Sequence, residues 1–224
     1  MATMEFSRFE DRLRAGAESI ALAIDRAQAE ALYSYYRELR RWSQKINLIS
    51  KNADAEEIVE NHFIDSMALL AVVNGTGGTL FDIGSGAGFP GLVCKAVRPG
   101  LPVRLVEPRL KRVSFLKHII RLLDLPDIDV HACRLEEGVE LPGESACSWV
   151  VSRAVSDIAD FLRLCERFKQ RRTAVVCMKG PRYHEEFDKG QTTADGWVLT
   201  AQRTYRLPRT QAERNLLVFE GEQR

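Results

Sequence analysis

The 224-residue sequence predicts an α/β fold: a mostly parallel sheet with helices on both faces, an antiparallel finish and a helical N-terminal extension. Three observations carry this. Strand-like and helix-like runs alternate from Thr79 onward, the pattern of parallel strands joined by crossover helices. Thr79–Ile83 is an apolar, β-forming run that meets four glycines (Gly84, Gly86, Gly88, Gly91) and then a helical run. Before residue 74 the apolar positions recur only at three- and four-residue steps. We expect residues 1–74 to form the extension and 75–224 the sheet domain. A chain this long buries roughly 70% of its unfolded surface, so a core needs no covalent staples.

In the extension, Leu32, Tyr35, Leu39, Trp42 and Ile46 make an amphipathic stripe over residues 26–46. Asp54 with Glu57 three residues later resembles a capping box, opening a second helix with the stripe Ile58, Phe63, Met67 and Leu70. Residues 74–78 read as a flexible joint. After the glycine turn, residues 92–97 read as a helix and 103–107 as a second strand. Residues up to about Leu123 form the next helix, with Val113, Leu116, Ile119, Ile120 and Leu123 inward, stopped by Pro126. Strands follow at 128–133, 148–152 and 173–178, with a helix at 157–168 between the last two. Residues 197–205 and 215–219 are strands with no long helix between them, which implies antiparallel pairing at the end of the sheet.

Composition excludes several classes. The formal net charge of +1 gives no global attraction to nucleic acid, so any such site is a local patch. Residues 1–78 carry 9 Lys+Arg against 12 Asp+Glu, yet Arg37, Arg40, Arg41, Lys45 and Lys51 form a basic edge there. That edge is a solvated helix face or a phosphate contact. The five cysteines are scattered without a C-x-x-C pair, as buried thiols of a reducing cytoplasm would be. The N-terminus lacks the apolar core of a signal peptide, and no apolar run approaches the ~20 residues of a membrane span. Nothing demands an oligomer, so a monomer is expected.

The turn Asp82-Ile83-Gly84-Ser85-Gly86-Ala87-Gly88-Phe89-Pro90-Gly91 is the chemical centre. Glycines permit positive φ and close approach of a ligand, and a helix N-terminus adds free N–H groups. In the dinucleotide register G-x-G-x-x-G counted from Gly84, the third glycine falls on Phe89; counted from Gly86 it fits but starts two residues late. Asp82 would also repel a pyrophosphate. A carboxylate followed by G-x-G-x-G suits a positive, phosphate-free ligand such as S-adenosylmethionine, and the pattern resembles the cofactor motif of Rossmann-like methyltransferases. A dinucleotide and a purely structural turn remain alternatives.

Ligands of doubly wound sheets bind at the carboxyl ends of strands. Glu107 ends the second strand, 21 residues after Gly86, where a carboxylate can accept both ribose hydroxyls of an adenosine. Past the third strand, Leu135 could cover an adenine, with Glu136 or Glu137 near its amine; a solvated loop acid is the alternative, weaker for Glu136 than for Glu137. The fourth strand ends in Ser152-Arg153-Ala154-Val155. Enzymes that methylate exocyclic amines carry an N-P-P-Y type motif here, and carbon-5 methylation needs a nucleophilic cysteine. Neither is present. Acceptors that are already nucleophilic remain, nitrogen 7 of guanine among them, and for these positioning is what accelerates transfer. Arg153 could hold a carboxylate or the base, or form a structural salt bridge. Lys179, ending the fifth strand, could face the same cleft or solvent. His62 reads as a packing histidine hydrogen-bonded to Asp65 more readily than as a catalytic one. No cluster has metal-ligand spacing.

Together, Asn47–Ser50, His62–Ser66, Asp82–Gly91, Lys111–Leu116, Ser152–Val155, Met178–Gly180 and Arg214–Val218 resemble, in order and spacing, the RsmG (GidB) family of 16S rRNA guanine-N7 methyltransferases, from about residue 26 to 220. The resemblance implies a Rossmann-like class I methyltransferase domain with a mostly parallel seven-stranded sheet and an antiparallel terminal strand. It implies S-adenosylmethionine as cofactor, with contacts at Gly84, Phe89, Leu135, Glu136 and Arg153 and with Glu107 at the ribose; the reading of the turn and the strand ends adds Asp82, Gly86 and Gly88 as expected cofactor residues and Arg153 and Lys179 as residues expected to position the base. The implied partner is 16S rRNA or the small ribosomal subunit, and the implied target guanine 527. Many relatives have aspartate where Glu107 stands, and many carry a basic, proline-containing tail that is not found before Arg224 here.

Overall fold

The computed structural model describes residues 4–50, 52–73, 78–136, 139–153, 157–171, 173–186, 193–194 and 196–222, the side chains of 170, 171, 193 and 194 excepted. Lys51, Glu137, Ala154, Val155 and most of the joint at 74–78 lie outside them.

Two helices come first, α1 (Phe6–Ser19) and α2 (Arg26–Ser43). Asp25 caps α2 by accepting from the Gln28 N–H, and Gln28 returns the bond to Asp25, so two orphan donors are satisfied reciprocally. Leu32, Tyr35 and Leu39 are fully buried, while Trp42 and Ile46 pack at the margin. Asp54 and Glu57 form the second capping box, at the start of α3 (Ala55–Ile58). The helix then widens into a π turn, Val59–Ile64, and closes as α4 (Asp65–Met67) and a 3₁₀ turn, Ala68–Ala71. Such widenings often accompany functional sites. The stripe Ile58, Phe63, Met67 and Leu70 is buried throughout.

The sheet comprises β1 (Thr79–Ile83), β2 (Val103–Val106), β3 (Ile128–His131), β4 (Cys147–Arg153), β5 (Ala174–Lys179), β6 (Thr193–Ala194), β7 (Trp197–Arg206) and β8 (Glu213–Gly221). Its order is β3-β2-β1-β4-β5-β8-β7-β6. The first five strands pair in parallel, and β8 pairs antiparallel with both β5 and β7. The seven expected strands are thus joined by one short edge strand, β6. The order reverses beside β1, which places the switch point between β1 and β4.

Alternate residues of each strand feed two cores. Leu80, Leu105, Val151 and Val176 face the helices α5 (Gly91–Val97) and α6 (Leu110–Leu122) and the N-terminal helices. Phe81, Val106, Val150 and Val175 face α7 (Ile158–Leu164) and the 3₁₀ segments. The first core runs without a break from α1 to β8, so the N-terminal helices are packed into the same interior as the sheet. On α6, Val113, Leu116 and Ile119 are buried as expected, joined by Phe115, while Ile120 and Leu123 pack only partly. Tyr35 links the layers: its hydroxyl donates to the Ala87 carbonyl in the glycine turn, and its ring stacks on Phe89 at 5.5 Å.

Candidate functional site

A cleft of about 1620 Å³ opens at the carboxyl ends of β1, β2 and β4. Gly84, Gly86, Phe89, Glu107, Leu135, Glu136 and Arg153 all line it. Of the expected cofactor residues, Asp82 and Gly88 do not.

The turn is held from below and behind. Gly84 donates to the Val106 carbonyl at 2.8 Å, tying β1 to β2 just past their last paired residues. At Gly88, φ is +97°, and an added Cβ would lie 2.7 Å from Tyr35 Oη and 2.9 Å from Leu92 Cβ. This glycine therefore serves the packing of the turn onto α2. Gly86 is different: φ is +61°, and a Cβ would find nothing nearer than 3.8 Å, so its open side faces the cleft.

Asp82 shares the Leu80 face of β1 and is fully buried. Its Oδ2 accepts from the Gly91 N–H at 2.9 Å, and Oδ1 has no partner among the described residues. Burial raises its carboxyl to about 7, against the opposing pull of the Gly91 bond and the Arg153 charge. The expectation that this acid meets a ligand directly becomes an arrangement one layer deeper. Asp82 fixes the start of α5 through the Gly91 N–H.

Glu107 is 2% exposed. Its Oε2 accepts from the Gly86 N–H at 2.9 Å and its Oε1 from the Arg109 N–H at 2.9 Å. An ionised carboxylate offers about four lone-pair sites, so one remains on each oxygen. Leu135 is buried at the cleft wall, and Glu136 is exposed at the rim, its carboxylate 3.8 Å from Arg134 Nε. On the same side Arg167 grips Glu144 with two bonds, at 2.6 and 3.0 Å, which keeps the wall in place.

At the end of β4, Arg153 reaches across to the π turn. Its Nη1 donates to the Asn61 carbonyl at 2.7 Å and approaches Asp65 Oδ2 at 3.4 Å; its Nη2 lies 3.0 Å from His62 Nδ1. The guanidinium lies 5.2 Å from the Phe89 ring centre, and the His62 ring stacks on Phe89 at 4.9 Å. The expected His62–Asp65 bond is not formed. Asp65 instead accepts from Tyr205 Oη at 2.6 Å and pairs with Arg214 at 3.3 Å, because the β7–β8 hairpin folds back over the helix. Burial and the Arg153 charge lower the His62 ring to about 3, so it is neutral. Spacing gave no sign of this pairing, which joins residues 91 apart.

Lys179 does not line the cleft: its Nζ lies 2.6 Å from Glu186, which also caps α7 by accepting from the Ile158 N–H at 3.1 Å. Cys133 does line it, but burial pushes its thiol up, so it is no thiolate nucleophile near neutral pH. Among the described residues no group of three His, Cys, Asp or Glu could hold a metal ion, and no helix is long and apolar enough to cross a membrane. The residues present suit an adenosine-like ligand: a carboxylate with spare lone pairs for a diol, an apolar wall, and a turn open to close approach.

The chain is similar to known proteins in sequence and in fold. The family model described as rRNA small subunit methyltransferase G (GidB) matches residues 28–217. The Ribosomal RNA small subunit methyltransferase G of Desulfotalea psychrophila is 45% identical over 213 residues, 94% of this chain and 98% of that protein. Its counterpart from Geobacter sp. strain M21 is 38% identical over 94% of this chain and 96% of its own length. Among solved structures, the Pyrococcus abyssi tRNA (uracil-54, C5)-methyltransferase in complex with S-adenosyl-L-homocysteine superposes with a TM-score of 0.54 at 14% identity, over 77% of this chain and 40% of that one. M. jannaschii TYW2 in complex with AdoMet gives 0.51 at 14% identity over 80% of each chain. At such identities the likeness is one of fold, the Rossmann-like methyltransferase sheet.

Proposed function

This chain belongs to the rRNA small subunit methyltransferase G (GidB) family, and from that premise we propose that it methylates nitrogen 7 of guanine 527 in 16S rRNA, with S-adenosylmethionine as methyl donor. The observation that carries the reading is Glu107, a carboxylate in the cleft lining whose two oxygens are each fixed by one backbone N–H, with Arg112 Nη1 3.8 Å from Oε2.

When bound, S-adenosylmethionine supplies an electrophilic methyl group on a positively charged sulfur. The chain's own residues do the holding. Glu107 would accept the ribose hydroxyls, Leu135 would cover the adenine, and Gly86 would let the ligand lie against the backbone. Arg153, stacked with His62 over Phe89, stands at the end of β4 where the acceptor enters. Nitrogen 7 carries a free lone pair on the major-groove edge, so no proton has to be removed. The work left to the protein is alignment, which alone can reach effective molarities of roughly 10⁵–10⁸ M. Arg37, Arg41 and Lys45, exposed on and after α2, offer a phosphate-binding edge for the RNA, as a cytoplasmic partner of the small subunit requires.

Quantitative mass spectrometry of 16S rRNA from a strain lacking the gene tests this. Loss of one 7-methylguanosine at position 527, restored by the wild-type gene, is expected. An unchanged 7-methylguanosine content rejects it.

A further inference from the structure

His62 carries chemistry that holding the methyl donor leaves unused. Its ring lines the cleft, fixed flat on Phe89 at an interplanar angle of 20°. Arg153 Nη2 lies 3.0 Å from Nδ1. A guanidinium has only donors, so Nδ1 must present its lone pair. A neutral imidazole has one N–H, and here it is on Nε2. Among the described residues Nε2 has no hydrogen-bond partner, and it is not among the buried unpartnered atoms. The pairing with Arg153 therefore turns His62 into a fixed neutral donor in the wall of the cleft.

We propose that the Nε2–H of His62 donates a hydrogen bond to oxygen 6 of the acceptor guanine and so orients nitrogen 7 for methylation. The inference rests on the guanine-N7 reading above. Oxygen 6 is the acceptor adjoining nitrogen 7 on the same base edge, whereas adenine offers an amine donor there. One donor thus positions guanine and opposes adenine, donor against donor. As the lone pair of nitrogen 7 forms the new N–C bond and the C–S bond breaks, the base gains positive charge. A neutral donor tolerates that charge, and an imidazolium would not. No proton passes to the chain.

The test compares His62→Gln and His62→Leu with wild type, using small subunits isolated from a strain lacking the gene. Glutamine can accept from Arg153 and still present an N–H; leucine can do neither. His62→Leu is expected to lower kcat/KM for the subunit roughly 10–100-fold, with His62→Gln recovering most of it. Calorimetric affinity for S-adenosylmethionine should stay within about two-fold of wild type in both. A ¹⁵N spectrum of ring-labelled histidine should show, for the signal lost in His62→Gln, a bare Nδ1 and a protonated Nε2. The reverse tautomer overturns the inference, as does a His62→Leu enzyme of wild-type rate. So does a rate loss matched by loss of S-adenosylmethionine affinity, which would turn the donor toward that ligand. A wild-type protein that leaves nitrogen 7 unmethylated overturns the function itself, and this inference with it.

Discussion

Replacing Glu107 by glutamine separates the two tasks assigned to this side chain. The carboxylate accepts from the Gly86 and Arg109 N–H groups, each at 2.9 Å. Glutamine has one oxygen, so its amide nitrogen must face one of these donors, and a nearly buried N–H loses its acceptor. That costs about 1–3 kcal/mol of stability. For a chain of this size, it corresponds to a Tm roughly 3–10 °C lower. Ligand binding falls separately. One ribose hydroxyl meets an N–H where it had a charged acceptor, a loss of about 1.5–3 kcal/mol. The dissociation constant should rise roughly 10–150-fold. Titration calorimetry well below the variant's Tm measures this with both S-adenosylmethionine and S-adenosylhomocysteine. The two share the ribose, so both should weaken by the same factor. Affinities within two-fold of wild type would refute the ribose assignment. A loss confined to S-adenosylmethionine would move the carboxylate to the sulfonium instead.

Further outcomes follow from the buried groups. In the folded state Asp82 titrates at about 7 against an ordinary 3.8, so the native chain holds an extra proton between those values and loses stability as pH rises through them. His62, lowered from 6.5 to about 3, acts oppositely: stability is lost as pH falls through that window. The two slopes offset in wild type; chemical denaturation of Asp82→Asn should show stability rising between about pH 3 and 6.5, and a flat profile would refute the burial argument. Gly88→Ala sets a Cβ 2.7 Å from Tyr35 Oη at φ +97°, an overpacking and strain cost of about 2–4 kcal/mol, and a wild-type melting curve would contradict that packing. Lys179→Met should leave S-adenosylmethionine affinity within two-fold, because the ammonium is on Glu186 and outside the cleft; a ten-fold weakening by calorimetry would redraw the cleft boundary.

Much of this was readable along the chain because its causes are local. The capping box at Asp54 and Glu57 follows from a three-residue reach along one helical turn. The β1–turn–α5 unit follows from apolar residues meeting glycines that accept positive φ at Gly84, Gly86 and Gly88. Glu107 was found from its place at a strand end, and parallel pairing of β1 with β2 brings it to Gly86.

What periodicity and spacing left open is which distant groups meet. Asp82 reads as a ligand-facing acid, yet the pleat turns it toward α5 and buries it under the turn. His62 and Asp65 sit three apart on one helix and look like partners. The close of the sheet gives Asp65 to Tyr205 and Arg214, and His62 to Arg153. Backbone sterics and side-chain period act over a few residues, and the order of amino acids records them directly. The bonds around Arg153 span about 90 residues, so they depend on how two packed layers register. Only the assembled fold sets that registration, and with it the side of His62 that is left to donate.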